Sequence, residues 1–206
     1  MKKIFVTVLI LVVALTASAQ SIAPFFTAMP NYIFPYLSLD NRKDMIDLFK
    51  ASKKATIENL LKGTSELKSL NDDFIVIQLN SNSMAQVKLL PLSDTTRLIA
   101  VVKTVMGNAS DSKVMFFTST WKKLDAKPIL PAPQLSWFID ASKIDPALIN
   151  SIDIEFYNYT FNQTTTEISV SLDAENYLSK EDFQKIWPAL KSSIVLKWIN
   201  GRFVKE

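Results

Sequence analysis

Phe74-Ile75-Val76-Ile77-Gln78-Leu79-Asn80, then Ser81-Asn82-Ser83, then Met84-Ala85-Gln86-Val87-Lys88-Leu89-Leu90 is the stretch that decides the fold. Two runs rich in β-branched and apolar residues flank a polar cluster whose Asn and Ser side chains satisfy turn backbones locally, which is the pattern of a hairpin. Phe74-Ile75-Val76-Ile77 has no polar alternate, and neither has Leu98-Ile99-Ala100-Val101-Val102 further on. Strands that are apolar at every position lie centrally, covered here on one side by the helices that precede them. With Glu66 to Leu70, Leu98 to Met106 and Val114 to Trp121, and with Gly107-Asn108-Ala109-Ser110-Asp111 as a second turn segment, the spacing predicts an antiparallel meander.

Working toward the N-terminus, the period changes. A helix is expected from about Leu39, capped by Ser38 or Asp40, with Met45, Leu48, Phe49 and Ser52 on one face. Helical character is expected to continue or restart through Ile57, Leu60 and Leu61 and to stop at Gly63. Ser21 to Leu37 carries Pro24, Pro30 and Pro35 among Phe25, Phe26, Tyr32, Phe34 and Tyr36, so it should form short packed turns or half-helices. Before it, Lys2 and Lys3, the apolar run Ile4 to Leu15 and the small-x-small triplet Ala17-Ser18-Ala19 have the order of a cleavable export leader, residues 1–19. The run falls short of the roughly 20 apolar residues of a spanning helix, so no integral membrane span is expected after cleavage near Ala19/Gln20. With no cysteine to lipidate, the expected location is periplasmic or secreted.

Toward the C-terminus, Lys127 to Pro133 is a proline-punctuated connector and the candidate sub-boundary of an otherwise single domain spanning 20–206. Ile152 to Phe161 and Thr164 to Leu172 read as a hairpin with one wet face, because Ile168, Val170 and Leu172 alternate with Glu167, Ser169 and Ser171. Ser179 to Asp182 matches a capping box, and Phe183, Ile186, Trp187 and Leu190 follow at helical spacing until Pro188 kinks the helix. Asn200-Gly201 is a two-residue turn signal inside the last strand pair. The expected fold is α+β: N-terminal helices packed on a largely antiparallel sheet of about seven to nine strands, with one late helix before the last strand.

The composition removes many activities. There is no histidine and no cysteine, hence no Ser-His-Asp or Cys-His machinery and no metal site built on either residue. Three glycines, Gly63, Gly107 and Gly201, leave no phosphate-cradling loop, so no nucleotide or dinucleotide cofactor is expected. No calcium-loop spacing occurs, and no metal or other cofactor is expected. Without Lys2 and Lys3 the chain holds 21 basic against 20 acidic residues, too balanced to attract nucleic acid.

Ser-x-x-Lys occurs at Ser65/Lys68, Ser110/Lys113 and Ser119/Lys122, where chance alone predicts about two, and its companion motifs are missing. Asp72-Asp73, Asp153 with Glu155, and Asp173 with Glu175 are the carboxylate pairs a glycosidase would need, but turn or surface positions explain each. No catalytic residue is therefore assigned. Recognition remains: Tyr157 and Tyr159 alternate with Asn158 and Thr160 on a strand with a solvated face, and Trp137 follows the connector, so these three are the candidate ligand-binding residues. The function expected is a non-enzymatic binding module for a peptide, glycan or partner protein of the cell envelope. The alternative is a hydrolase using carboxylates or a Ser/Lys pair.

Met29-Pro30, Pro35-Tyr36-Leu37 and Asn41-Arg42-Lys43-Asp44-Met45-Ile46-Asp47 resemble the start of a domain-of-unknown-function family of exported Bacteroidales proteins. Leu89-Leu90-Pro91 and Trp121-Lys122-Lys123-Leu124 are similar to its later landmarks. The resemblance implies lineage and compartment, and no reaction, cofactor or site. In that lineage Asp94-Thr95-Thr96 fits an O-glycosylation pattern of exported proteins, which makes Thr95 a candidate modification site.

Overall fold

The computed structural model describes residues 21–145 and 156–205. The leader segment, Asp153, Glu155 and the start of the strand expected from Ile152 therefore lie outside the described residues. Two helices come first, α1 (Ile22–Ala28) and α2 (Leu39–Lys50). Ser38 caps α2: its Oγ accepts the Asn41 amide while Asn41 Oδ1 accepts the Ser38 amide, a reciprocal box that satisfies two orphan donors. Helix α2 buries Arg42, Met45 and Ile46.

Arg42 is 2% exposed and makes no ion pair among the described residues. Its guanidinium donates instead to the carbonyls of Thr27, Met29 and Leu37 and to Asn31 Oδ1, clamping the proline-rich segment against α2. Burial pulls its pKa down from the ordinary arginine value.

The expected continuation of α2 toward Gly63 is not helical. Thr56–Glu58 is strand β1, pairing antiparallel with β2 (Thr64–Leu70), and Leu60 and Leu61 form the exposed turn between them. The reason is local: Asn59 Oδ1 accepts the amides of Leu61 and Gly63, closing a turn that an α-helix cannot contain. The meander then runs as anticipated through β3 (Phe74–Asn80), β4 (Ser83–Pro91) and β5 (Arg97–Met106). Strand β6 (Ser110–Thr118) takes Ser110 and Asp111 from the expected turn and stops before Trp121, and a short β7 (Lys123–Leu124) that the spacing did not predict follows. These seven strands form one antiparallel sheet in sequence order.

Alternation assigns the two faces of that sheet. Ile75, Ile77, Leu79, Ala85, Val87, Leu89, Ile99, Val101 and Phe117 pack with Ile22, Phe26, Phe34, Leu37 and Met45 of the helical layer. Phe74, Leu90, Leu98, Ala100, Val102 and Phe116 face the other way. That second face is covered by a separate sheet, which corrects the expectation of a single sheet of seven to nine strands. The connector leads to α3 (Leu135–Phe138) and then to β8 (Tyr157–Phe161), β9 (Ile168–Leu172), α4 (Ala174–Tyr177), α5 (Lys180–Ile186), β10 (Ile194–Ile199) and β11 (Arg202–Lys205). The late strands pair in the order β11-β10-β9-β8, so the described residues hold eleven strands in two sheets. Strands apolar on both faces need two covers, and four late strands supply the second rather than lengthening the first sheet.

Polar side chains register the two sheets. Gln86 Oε1 accepts the Phe161 amide at 2.8 Å, and Ser112 Oγ accepts the Tyr159 amide at 3.1 Å. The fully buried Lys88 reaches Asp73 Oδ2 at 3.0 Å and the Gln163 carbonyl at 3.1 Å. Edge strand β8 thus has two of its amides stopped by side chains of the first sheet, which blocks pairing with another chain there. Gly201, at φ +80° beside Asn200 at φ +50°, closes the β10–β11 hairpin as the Asn-Gly signal requires.

Candidate functional site

The site forms where the late helices leave the second sheet. Asp173, just after β9, accepts the Ser110 amide at 2.6 Å on Oδ2 and Asn176 Nδ2 at 2.9 Å on Oδ1, tying the start of α4 to the first sheet. Ser179 caps α5, its Oγ accepting the Asp182 amide, as the capping pattern predicts. Lys185 donates to Glu181 one turn back at 2.9 Å, which raises its pKa. Pro188 converts the helix end into a 3₁₀ turn, Trp187–Ala189.

Sequence periodicity puts Phe183, Ile186, Trp187 and Leu190 on one apolar face, but the structure divides them. Ile186 is fully buried, Phe183 and Leu190 are half-buried, and Trp187 is 61% exposed. The segment after Trp187 is pinned by the Ile139–Leu190 bridge and by the Asp140 amide on the Ala189 carbonyl, which holds the tight turn and leaves the indole outside. Trp187 and Phe183 lie with ring centroids 5.4 Å apart and planes at 50°.

These rings wall a cleft of about 610 Å³ completed by Glu175, Asn176, Lys180 and Gln184. Asn176 also borders a neighbouring hollow of about 380 Å³ between Asn108, Ala109, Phe156 and Tyr177, where the Phe156 and Tyr177 rings are 5.0 Å apart. The two hollows share Asn176, and each has an aromatic pair in its lining. The first cleft mixes donors and acceptors, with one acid and one base. It holds a single carboxylate and no hydroxyl or thiol nucleophile, so neither a glycosidase pair nor a Ser/Lys dyad is assembled in it.

The residues expected on sequence are placed elsewhere. Tyr159 is buried at 6% exposure. Register explains it: Tyr159 pairs with Val170 and Phe161 with Ile168, so the aromatic series shares the dry face, and Thr160 takes the wet one. Burial pushes the Tyr159 phenol up to about 12, with the charges of Tyr157 and Asp111 adding to it. Tyr157 is half-buried with its ring 5.7 Å from Phe138, and half-buried Trp137 lies 6.5 Å from the same Phe138. The structure thus brings Tyr157 and Trp137 against one core phenylalanine. Thr95 sits exposed in the β4–β5 loop.

Strand geometry separates the serine and lysine pairs. An odd spacing puts Ser65 and Lys68 on opposite faces of β2, Ser65 buried against the Leu79 carbonyl at 2.6 Å and Lys68 paired outward with Glu66. Ser110 and Lys113 are split likewise on β6, and Ser119 and Lys122 are exposed in the following turn. Asp73 is engaged by Lys88 and Asp173 by two donors, while Asp153 with Glu155 falls outside the described residues. Among the described residues no three metal-ligating side chains converge, and no helix is long and apolar enough to cross a membrane.

Fold and site together define an α+β domain of two antiparallel sheets under a helical cover, with an aromatic cleft on its late helices. Residues 14–203 match the family described as "Protein of unknown function (DUF3256)", and the chain belongs to that family. Its fold is similar to that of a domain of an uncharacterized protein from Porphyromonas gingivalis W83, with a TM-score of 0.78 and 25% identity over 89% of this chain and 98% of that one. No curated protein matches the sequence. The family resemblance read from Met29 to Leu124 is thereby established, in a lineage that includes a Bacteroidales neighbour.

Proposed function

We propose that this protein is an exported, non-catalytic binding module of the cell envelope that takes a glycan chain in the α4–α5 cleft. The observation that carries the reading is Trp187: an indole 61% exposed and angled against Phe183 in a cleft otherwise lined by two amides, one acid and one base. A sugar ring has an apolar C–H face for the indole and hydroxyls that both donate and accept, which Asn176, Gln184, Glu175 and Lys180 can meet on both counts. The near-neutral lining suits an uncharged ligand, and the second hollow beyond Asn176 lengthens the surface for a chain. Export is supported by Lys2, Lys3 and the small-residue triplet Ala17-Ser18-Ala19.

Calorimetric titration with neutral oligosaccharides of the envelope tests the binding reading. Binding lost in Trp187→Ala and kept in Trp187→Phe is expected, and a peptide-only ligand, or binding indifferent to Trp187, would reject the glycan assignment. Intact mass of the protein from its own envelope tests two further points. A chain starting at Gln20 supports export, and added hexose mass abolished by Thr95→Ala supports modification in the β4–β5 loop.

A further inference from the structure

A second groove, of about 420 Å³, runs between the proline-rich connector and edge strand β11. Lys127, Pro128, Pro131 and Trp137 wall it on the connector side, Arg202 and Lys205 on the strand side. Three of these side chains are cations, and among the described residues no carboxylate lines the groove. The chain as a whole is close to balance, 23 basic against 20 acidic residues, so the concentration is local. None of the three is in an ion pair among the described residues, whereas Lys62, Lys68, Lys88, Lys143 and Lys185 all are. Salt screens charges over about 8 Å at physiological strength, so cations sharing a groove of this size repel one another until an anion enters.

The lining also selects by hydrogen-bond sense. Lys, Arg and Trp side chains donate and cannot accept, and Pro, Phe and Val do neither. A sugar hydroxyl would find no side-chain acceptor here, in contrast to the α4–α5 cleft with its amides and Glu175. A group that only accepts, such as a carboxylate, matches. The Lys205 ammonium lies 5.1 Å over the Trp137 ring, placing a charge beside a flat apolar face. The Phe203 amide is already taken by the Ile129 carbonyl at 2.7 Å, so recognition along β11 falls on side chains rather than on strand addition. Two prolines and an indole give the rigid apolar walls against which an extended chain packs.

We propose that this groove binds a short acidic peptide segment, with Lys127, Arg202 and Lys205 pairing its carboxylates and Trp137, Pro128 and Pro131 packing its backbone. The site is separate from the glycan cleft and stands or falls independently of it.

The test is titration of the full chain with a hexaglutamate peptide at physiological salt, followed by calorimetry and by tryptophan emission. Arg202→Glu on the strand and Lys127→Glu on the connector should each weaken binding at least tenfold with unchanged melting temperature. Lys62→Ala, in the distant β1–β2 turn, should stay within twofold. The emission change should disappear in Trp137→Phe. Equal binding of a hexaglutamine peptide would overturn the proposal, as would indifference to both charge reversals. Competition by inorganic phosphate or polygalacturonate at matched charge would overturn the peptide assignment in favour of a general anion site.

Discussion

The two faces of the seven-stranded sheet are closed by different chemistry. Toward the helices the sheet offers mainly aliphatic and aromatic side chains, from Ile75 to Phe117, with buried Ser65 and Ser83 and with Lys103 over the Tyr36 ring among them, and Arg42 gathers the backbone carbonyls of the layer above. Toward the second sheet, apolar residues share the surface with Gln86, Lys88, Thr104 and Ser112, several of which reach backbone groups of the β8–β9 hairpin. Apolar burial is non-directional and tolerates sliding, whereas a hydrogen bond to a particular amide does not. The helical layer is therefore bound internally by the Arg42 clamp and to the sheet by area and by bonds at the sheet's margin, where the Trp121 indole donates to the Phe25 carbonyl at 3.1 Å and the Ile22 amide to the Asp72 carbonyl at 2.8 Å. The second sheet is held by area and by register across the strand faces. That second attachment carries the late helices, and with them the cleft.

The comparison breaks first at the clamp. Arg42→Met keeps the stem but leaves the carbonyls of Thr27, Met29 and Leu37 without their donor, and should cost about 3 kcal/mol. For a chain of this size that is a fall in melting temperature of about 6–12 °C, readable by calorimetry. Hydrogen exchange should rise in α1 and the segment to Leu37 and remain slow in β8 and β9. Gln86→Leu attacks the other face. It removes the acceptor of the Phe161 amide inside the core and should cost about 2 kcal/mol, with exchange quickened in the β8–β9 hairpin and unchanged in α1. If either variant loosened both layers equally, the two attachments would not be separate.

A pH series sharpens the same contrast, because Tyr159 lies on the second face. An unfolded tyrosine loses its proton near pH 10, while the buried phenol keeps it to about 12. Between those values the unfolded chain binds fewer protons than the folded one, so stability is whole below about pH 10 and falls as pH rises toward 12. The loss attributable to this group should approach about 2 kcal/mol. Urea melts of the parent and of Tyr159→Phe should agree below pH 10, and only the parent should carry this extra slope above it. Parallel curves throughout would show that the phenol is not held neutral by burial.

Much of this architecture is legible in the sequence because its causes are local. The alternation in Phe74 to Leu90, the Ser38 and Ser179 caps and the Asn200-Gly201 turn each act over a few residues. What the alternation cannot convey is the identity of the cover. Gln86 and Lys88 alternate with Val87 and Leu89 as polar residues, and they are buried because Phe161 and Gln163, some 75 residues later, come down on them. The burial of Arg42 has a cause of the same kind, since the carbonyls it collects are assembled only when the proline-rich segment folds back. Tyr159 shows the converse: counting its parity with Val170 would have turned it inward, and what misled was the polar company of Asn158 and Thr160. Of the candidate site, the helix and its cap were legible. The exposure of Trp187 was not, because it depends on the distant bridge between Ile139 and Leu190.

The smallest stability effect should come from the cleft itself, and it marks where the second face stops being structural. Ile186 and Trp187 are adjacent, yet Ile186 belongs to the core beneath the second sheet and Trp187 mostly to solvent. Ile186→Ala should cost roughly 2–4 kcal/mol, as a buried aliphatic truncation does. Trp187→Ala should change stability by about 0.5 kcal/mol or less, since it opens no cavity and strands no polar group. On the binding reading proposed above, a residue that large, exposed and dispensable for folding acts through what it touches in the bound state. The same variant should therefore abolish oligosaccharide binding while melting with the parent. A Trp187→Ala protein as unstable as Ile186→Ala would return the indole to the core and leave the cleft without its argument.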